Sequence, residues 1–208
     1  MRLLIVTAVS TEAEALGEVP DAHIVVSGVG RTNAAAATTL ASIAHGPFDA
    51  AISIGLAGAL PESQLEPGDL IAADQCVYAE EGIMTPEGFL DMTGLGFQLG
   101  ADPGNAISCD EDLVRQLQAV APIMSIATVA TCSGTDAAAA EIRNRTGCAA
   151  EAMEGAAVVH AAQRLNIPAI EVRAISNTTG DRHEQRWDLP KALQVLQEGI
   201  SSIRNTLR

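Results

Sequence analysis

Short runs of apolar, often β-branched residues alternate along the chain with longer alanine-rich segments whose apolar positions recur every three or four residues. Runs of the first kind suit buried strands and segments of the second kind amphipathic helices; their alternation marks an α/β chain with a helix-covered sheet. The pattern predicts strands over 3–9, 22–27, 50–54, 69–77, 123–130 and 169–174, and helices over 32–43, 110–120, 136–145, 152–165 and 189–206. Between Glu80 and Asn105 the periodicity fades into EEGIMTPEGFLDMTGLGFQLGADPGN, a glycine- and proline-rich stretch that reads as a long surface excursion, of the kind that forms lids or subunit contacts. No repeat, low-complexity tract or linker interrupts residues 1–208, so the expectation is a single domain.

Composition narrows the partners. A formal net charge of -14 repels polyanions, and no basic patch offsets it, which argues against nucleic acid and anionic membranes and for a small-molecule substrate. Cys76, Cys109, Cys132 and Cys148 are widely spaced without a CxxC pair or a companion histidine pattern, so they read as reduced thiols and no metal is expected. The opening MRLLIVTAVSTEAEAL turns acidic where a signal peptide would show a cleavage site, and no apolar stretch approaches the ~20 residues a membrane span requires. A cytoplasmic location is the expectation.

Ligands in open α/β sheets bind beyond the carboxyl ends of the strands, so the strand-to-helix turns are where chemistry is sought. Glu12 and Glu14 follow the first strand, although a carboxylate in a first helical turn also merely complements the helix dipole. In SGVGRTN, Gly28 and Gly30 begin a dinucleotide-like fingerprint whose third glycine position holds Asn33, so the turn says only that backbone approaches something closely. ISIGLAGAL brings Gly55, Ala57 and Gly58 to a strand end, where small side chains leave amides open, or where a tight turn is simply made. AEAMEGAAVV reads as a helix start, with Glu151 and Glu154 in its first turn and Met153 and Gly155 beside them. EVRAISN ends a strand in Ser176 and Asn177, and asparagine there is often a turn former. His23, His45, His160 and His183 stand apart from any nucleophile-elbow context, so a histidine triad is not indicated.

In chain order, AVSTEAE, SGVGRTNAAAA, ISIGLAGAL with EPGDLI, AMEGAA and RAISN resemble the nucleoside phosphorylase-like superfamily, in particular its 5'-methylthioadenosine/S-adenosylhomocysteine nucleosidase branch. The resemblance runs from residue 3 to about residue 196, and MEGAA with RAISN are its most specific parts. The AMEGAA form and the tail SNTTGDRHEQRWDLPKAL are similar to the futalosine hydrolases within that group.

The resemblance implies a three-layer α/β fold with a central mixed, partly barrel-like sheet flanked by helices, and a cofactor-free enzyme that hydrolyses an N-glycosidic bond and assembles as a homodimer. It implies futalosine as substrate and hypoxanthine as leaving base, within menaquinone biosynthesis. Glu12 would be the general base on water, Glu154 would hold the ribose, Met153 would pack on the sugar, and Asn177 would receive the base. Ala57, Gly58, Thr131, Cys132 and Ser176 would complete substrate binding. The base-binding segment lacks the aromatic of the methylthioadenosine branch, which leaves Phe89, Phe97 or Trp187, of the same or of a neighbouring subunit, to stack on the purine. Arg182 and Arg186, with Arg31 behind them, are candidates for a substrate carboxylate.

Where the methylthioadenosine branch has aspartate, Asn177 stands here, and an amide both donates and accepts, which suits O6 and protonated N7 of a 6-oxopurine. Readings kept open are a methylthioadenosine/S-adenosylhomocysteine or aminodeoxyfutalosine nucleosidase, a purine nucleoside phosphorylase, a nicotinamide oxidoreductase resting on the GxG turn alone, and a non-catalytic nucleoside-binding module.

Overall fold

The computed structural model describes residues 1–207. Strand β1 (Leu3–Thr7) is wholly buried and pairs in parallel with β2 (Ala22–Val26) and with the first half of β3 (Ala50–Ala59). The other edge of β3 carries β11 (Ala169–Thr178), also parallel and ten residues long. Both long strands are buried along almost their whole length, because helices cover both faces, so they read as continuous apolar runs and not as alternating ones.

Strand β3 outlasts β1, and its far end takes a new partner. Gly58 and Ala59 pair antiparallel with β10 (Ala150–Ala152), which pairs in parallel with β9 (Ile126–Thr128), which in turn pairs with β5 (Gln75–Tyr78). Strand β4 (Leu70–Ala72), two residues before β5, pairs back onto β11, and β8 (Ala106–Ser108) edges β5. Strand β4 runs on into β5 along the chain, so following β3, β11, β4, β5, β9 and β10 leads back to β3, and the mixed sheet has a partly barrel-like curl.

Helices α2 (Arg31–His45) and α5 (Gly155–Arg164) pack together on one face, while α1 (Ser10–Leu16) and α6 (Leu189–Thr206) pack together on the other. The remaining helices, α3 (Glu111–Leu117) and α4 (Asp136–Thr146), start at side-chain caps: Asp110 accepts from two amides and Thr135 from one. No helix among the described residues is long and apolar enough to cross a membrane.

Three expectations change. The strand predicted over 69–77 is β4 and β5, broken at Ala73 and Asp74, which lets the chain serve β11 and then β9. The excursion is not featureless: β6 (Gly82–Thr85) and β7 (Gly88–Asp91) form a separate antiparallel hairpin, tied down by the Asn105 amide, which donates to the carbonyls of Tyr78 and Glu81 at 2.7 Å each. The helix predicted from residue 152 starts at Gly155, because residues 150–152 form a strand instead.

Candidate functional site

A cavity of about 550 Å³ opens where β1, β3, β10 and β11 end together, and Glu12, Glu154 and Asn177 all line it. Helix α1, which follows β1, supplies Glu12 from its first turn, buried at 5 % exposure. Its Oε2 accepts from the amides of Ala8 at 2.9 Å and Val9 at 3.3 Å, and its Oε1 from the amide of Leu56 at 2.9 Å. A carboxylate offers about four lone-pair directions, so one on Oε1 remains for a water. Gly55 makes the arrangement possible: a Cβ there would lie 2.5 Å from Glu12 Oε1 and 2.6 Å from an Nη of Arg173.

Arg173, on β11 and 1 % exposed, joins the acidic residues. Its Nε donates to Glu171 Oε1 at 2.7 Å, one Nη donates to Ser53 Oγ at 3.0 Å, and the same Nη lies 3.6 Å from Glu154 Oε2. Burial by itself would favour the neutral guanidine, but Glu171, Glu154 and Glu12 outweigh it and hold the proton far more firmly than usual. Removing one partner from such a buried pair costs about 3–5 kcal/mol, because the other charge is stranded.

Glu154 is not in a helical turn, as the sequence pattern suggested. It is the residue before α5, with φ -125° and ψ -29°, and Glu151 lies in β10. Its Oε1 accepts from the amide of Gly30 at 2.9 Å, which explains the glycine turn after β2 as a cradle for a carboxylate. With Oε2 toward Arg173, Glu154 is fixed from both sides and its edge faces the cavity.

The opposite end of the cavity is polar. Strand β11 slips by one residue against β3: Ile175 faces Ala57 and Asn177 faces Gly58, leaving Ser176 as the extra residue of a bulge. Ser176 Oγ lies 2.7 Å from Asn177 Oδ1, and Asn177 Nδ2 donates to the carbonyl of Thr178 at 2.9 Å. That carbonyl only accepts, so it fixes which side of the amide is nitrogen; one N–H and one lone pair remain for a ligand. On the other side of Gly58, Glu151 accepts from the Ser133 amide at 2.7 Å and from its hydroxyl at 2.6 Å. Burial raises the Glu151 carboxyl above its ordinary range, against the two Ser133 hydrogen bonds, with nearby Glu80 adding to the rise. The neighbouring Cys132 thiol is pushed up to about 11 by burial and by Glu151 and Glu154, which leaves it a neutral wall.

Ala57, Gly58, Met153, Ser176, Cys132 and Arg182 line the same space, whereas Thr131 and Arg186 do not. The Thr131 amide turns to Glu80 at 3.4 Å, beside the Ala130 amide on the same carboxylate at 2.7 Å. Arg186 reaches outward to Glu66, with Nη–Oε separations of 2.6 and 3.1 Å. Arg31 is engaged by Glu81 at 2.9 Å and Glu80 at 3.6 Å. Of the three aromatics proposed for stacking, Trp187 lines the cavity, its ring 4.7 Å from the Arg182 guanidinium. Phe89 lies in a separate cavity of about 930 Å³ beneath the β6–β7 hairpin, under Arg145, and Phe97 is exposed. Residues the sequence did not single out are Arg173, Glu171 and Gln185; the spacing of Glu171 and Arg173, two apart on a strand and so on one face, is the signal that pairs them.

A cavity with clustered carboxylates at one end and an amide at the other can hold a cationic sugar and a purine edge at once. The phosphorylase superfamily matches residues 9–207. This chain belongs to that superfamily. It is 36 % identical to the futalosine hydrolase of Acidothermus cellulolyticus, over 98 % of this chain and 90 % of that protein. It is 33 % identical to the futalosine hydrolase of Streptomyces coelicolor, over 100 % of this chain and 97 % of that one. A solved futalosine hydrolase mutant of Helicobacter pylori superimposes with a TM-score of 0.81 at 20 % identity, covering 100 % of both chains. The 5'-methylthioadenosine/S-adenosylhomocysteine nucleosidase of Neisseria meningitidis, solved with methylthio-immucillin-A, gives a TM-score of 0.81 at 21 % identity over 99 % of each chain. The superfamily member described here thus has the nucleosidase fold throughout its length.

Proposed function

We propose that the protein is a nucleosidase that hydrolyses the N-glycosidic bond of futalosine, releasing hypoxanthine, and serves the menaquinone route through that compound. The relatives named futalosine hydrolase support the substrate. The observation that carries the chemistry is the shared cavity of Glu12, Glu154 and Asn177.

Cleavage builds positive charge on the ribose and negative charge on the leaving purine. Glu154, fixed by Gly30 and Arg173, binds the ribose hydroxyls and faces the developing cation, with Met153 against the sugar. A water on the remaining Oε1 lone pair of Glu12 forms the new bond to the anomeric carbon and gives its proton to that carboxylate. The carbon–nitrogen bond breaks with its electron pair going to the purine, which takes a proton from solvent at N7. Asn177 accepts from that N7–H and donates to O6. Trp187 supplies the flat wall for the base, and Arg182 on the rim meets the substrate carboxylate. The enzyme acts as a cytoplasmic homodimer of single-domain subunits, without a cofactor.

The test is to incubate the protein with futalosine, inosine and methylthioadenosine, with and without phosphate, and to identify the released base by chromatography. Phosphate-independent release of hypoxanthine from futalosine is expected. Adenine as the favoured product, or release only with phosphate, overturns the assignment.

A further inference from the structure

Glu151 has no part in the bond cleavage above, yet it is a carboxylate at 4 % exposure that lines the reaction cavity. Its place is set by register. In β10 it pairs with Gly58 from one side, and in β11 Asn177 pairs with the same Gly58 from the other. A Cβ on Gly58 would lie 2.8 Å from Thr179 Cγ2, 3.2 Å from Asn177 Nδ2 and 3.7 Å from Glu151 Cγ. The missing side chain therefore lets Thr179, the amide and the carboxylate pack close together, with Asn177 and Glu151 both on the cavity wall.

Each Glu151 oxygen receives one hydrogen bond from Ser133, one from the amide and one from the hydroxyl. Two donors aimed at two different oxygens suit an anion, and each oxygen keeps a further lone pair. The cavity wall on either side of Gly58 thus offers a donor–acceptor pair on Asn177 and a pure acceptor on Glu151.

We infer that Glu151 is a second base-reading residue, accepting the N1–H of a 6-oxopurine while Asn177 holds O6 and N7. The inference rests on the proposed nucleosidase reading and deepens it. Along its edge a 6-oxopurine presents N7, then O6, then an N1–H donor, and the donor is what Glu151 matches. A 6-aminopurine has a bare lone pair at N1, which meets a carboxylate acceptor to acceptor. A buried site built for a hydrogen bond rejects the analogue that cannot make it much more strongly than an apolar pocket rejects a size difference. Selection for the keto base is thereby made at two atoms by residues of two different strands.

The experiment compares futalosine with its 6-amino analogue, identical outside the base, in wild type and Glu151→Gln. The amide can donate to the bare N1 of the amino base, so the ratio of kcat/KM for futalosine over its analogue is expected to fall by about 10- to 100-fold, with futalosine losing and the analogue holding or gaining. Equal losses on both substrates would make Glu151 a strut for Ser133 only and overturn the inference. Calorimetric binding of hypoxanthine, 1-methylhypoxanthine and adenine to wild type needs neither turnover nor a folded variant. Hypoxanthine binding at least about tenfold more tightly than the other two is expected, and equal binding of hypoxanthine and its 1-methyl form overturns the role. Selective binding without base release from any nucleoside would remove hydrolysis while leaving the recognition intact.

Discussion

Gly155 makes room for Glu171: a Cβ on Gly155 would lie 1.9 Å from one carboxylate oxygen and 2.1 Å from the other. The glycine of MEGAA is thus required by a buried acid on β11 that holds Arg173, and through it the carboxylates of the site. Gly155→Ala is expected to destabilise the protein by ~3 kcal/mol or more, since overpacking here displaces a charge and not a methyl group. Urea unfolding monitored by circular dichroism measures it, and a midpoint equal to wild type would contradict the account.

Arg173 faces three carboxylates with one guanidinium. Arg173→Met leaves Glu171, Glu154 and Glu12 without their cation, and a loss of about 3–5 kcal/mol is expected in the same unfolding assay. Adding Glu171→Gln to that variant removes part of the stranded charge, so the double variant should recover stability relative to Arg173→Met. Further loss in the double variant would show that the cluster is not held electrostatically.

Asn177 Nδ2 donates to the Thr178 carbonyl at 2.9 Å. In Asn177→Asp an oxygen replaces that nitrogen and confronts the carbonyl unless it carries a proton, so the new carboxyl is favoured in its protonated form. Such a group can no longer serve both O6 and N7–H as the amide does. Preference is expected to move toward the 6-amino analogue by about one to two powers of ten, read as a ratio of kcat/KM values. An unchanged ratio would remove Asn177 from base selection.

Base preference should also depend on pH. The Glu151 carboxyl is raised above its ordinary range, with Ser133 donating to it, Glu80 adding to the rise, and Cys132 beside it neutral up to about 11. Above the Glu151 pKa the anion accepts N1–H and favours the keto base. Below it the acid becomes a donor and suits the bare N1 of the amino base. The futalosine-to-analogue ratio is therefore expected to fall on acidification within the range where the protein stays folded, and to lose that dependence in Glu151→Gln.

Arg182 and Arg186 have different surroundings, which separates their effects. Arg182 lines the cavity over Trp187, so Arg182→Ala is expected to raise the KM for futalosine by about tenfold, the loss of one charge-assisted hydrogen bond, with a smaller change in kcat. Arg186 is turned to Glu66 at the surface, and Arg186→Ala should leave both constants unchanged. The reverse pattern would move the carboxylate subsite to Arg186.

Long periodic segments were legible in the sequence: α2, α6 and the paired strands β1 and β2 lie close to where apolar spacing puts them. Three-residue strands such as β8 and β10 carry too few positions for any period, and their existence depends on partners distant in the chain. That is why Glu151 and Glu154 were assigned to a helical turn. Arg173 was overlooked for the opposite reason: charges in a strand normally mark its solvent face, but β11 has no such face. Glu12 and Asn177 stood at strand ends, where the general rule for α/β sheets directs attention. Their common cavity depends on the curl of the sheet, which no local pattern encodes.

The extra residue at Ser176 has a consequence for how the protein can change. Side chains along a strand point alternately up and down, so a one-residue slip redirects everything beyond it. Asn177 faces the cavity because of this local misfit, while Arg173 and Glu171 upstream of it keep their inward aim. In the proposed reaction the grip on the sugar and the choice of base are thus uncoupled along a single strand, and selection can retune one without disturbing the other.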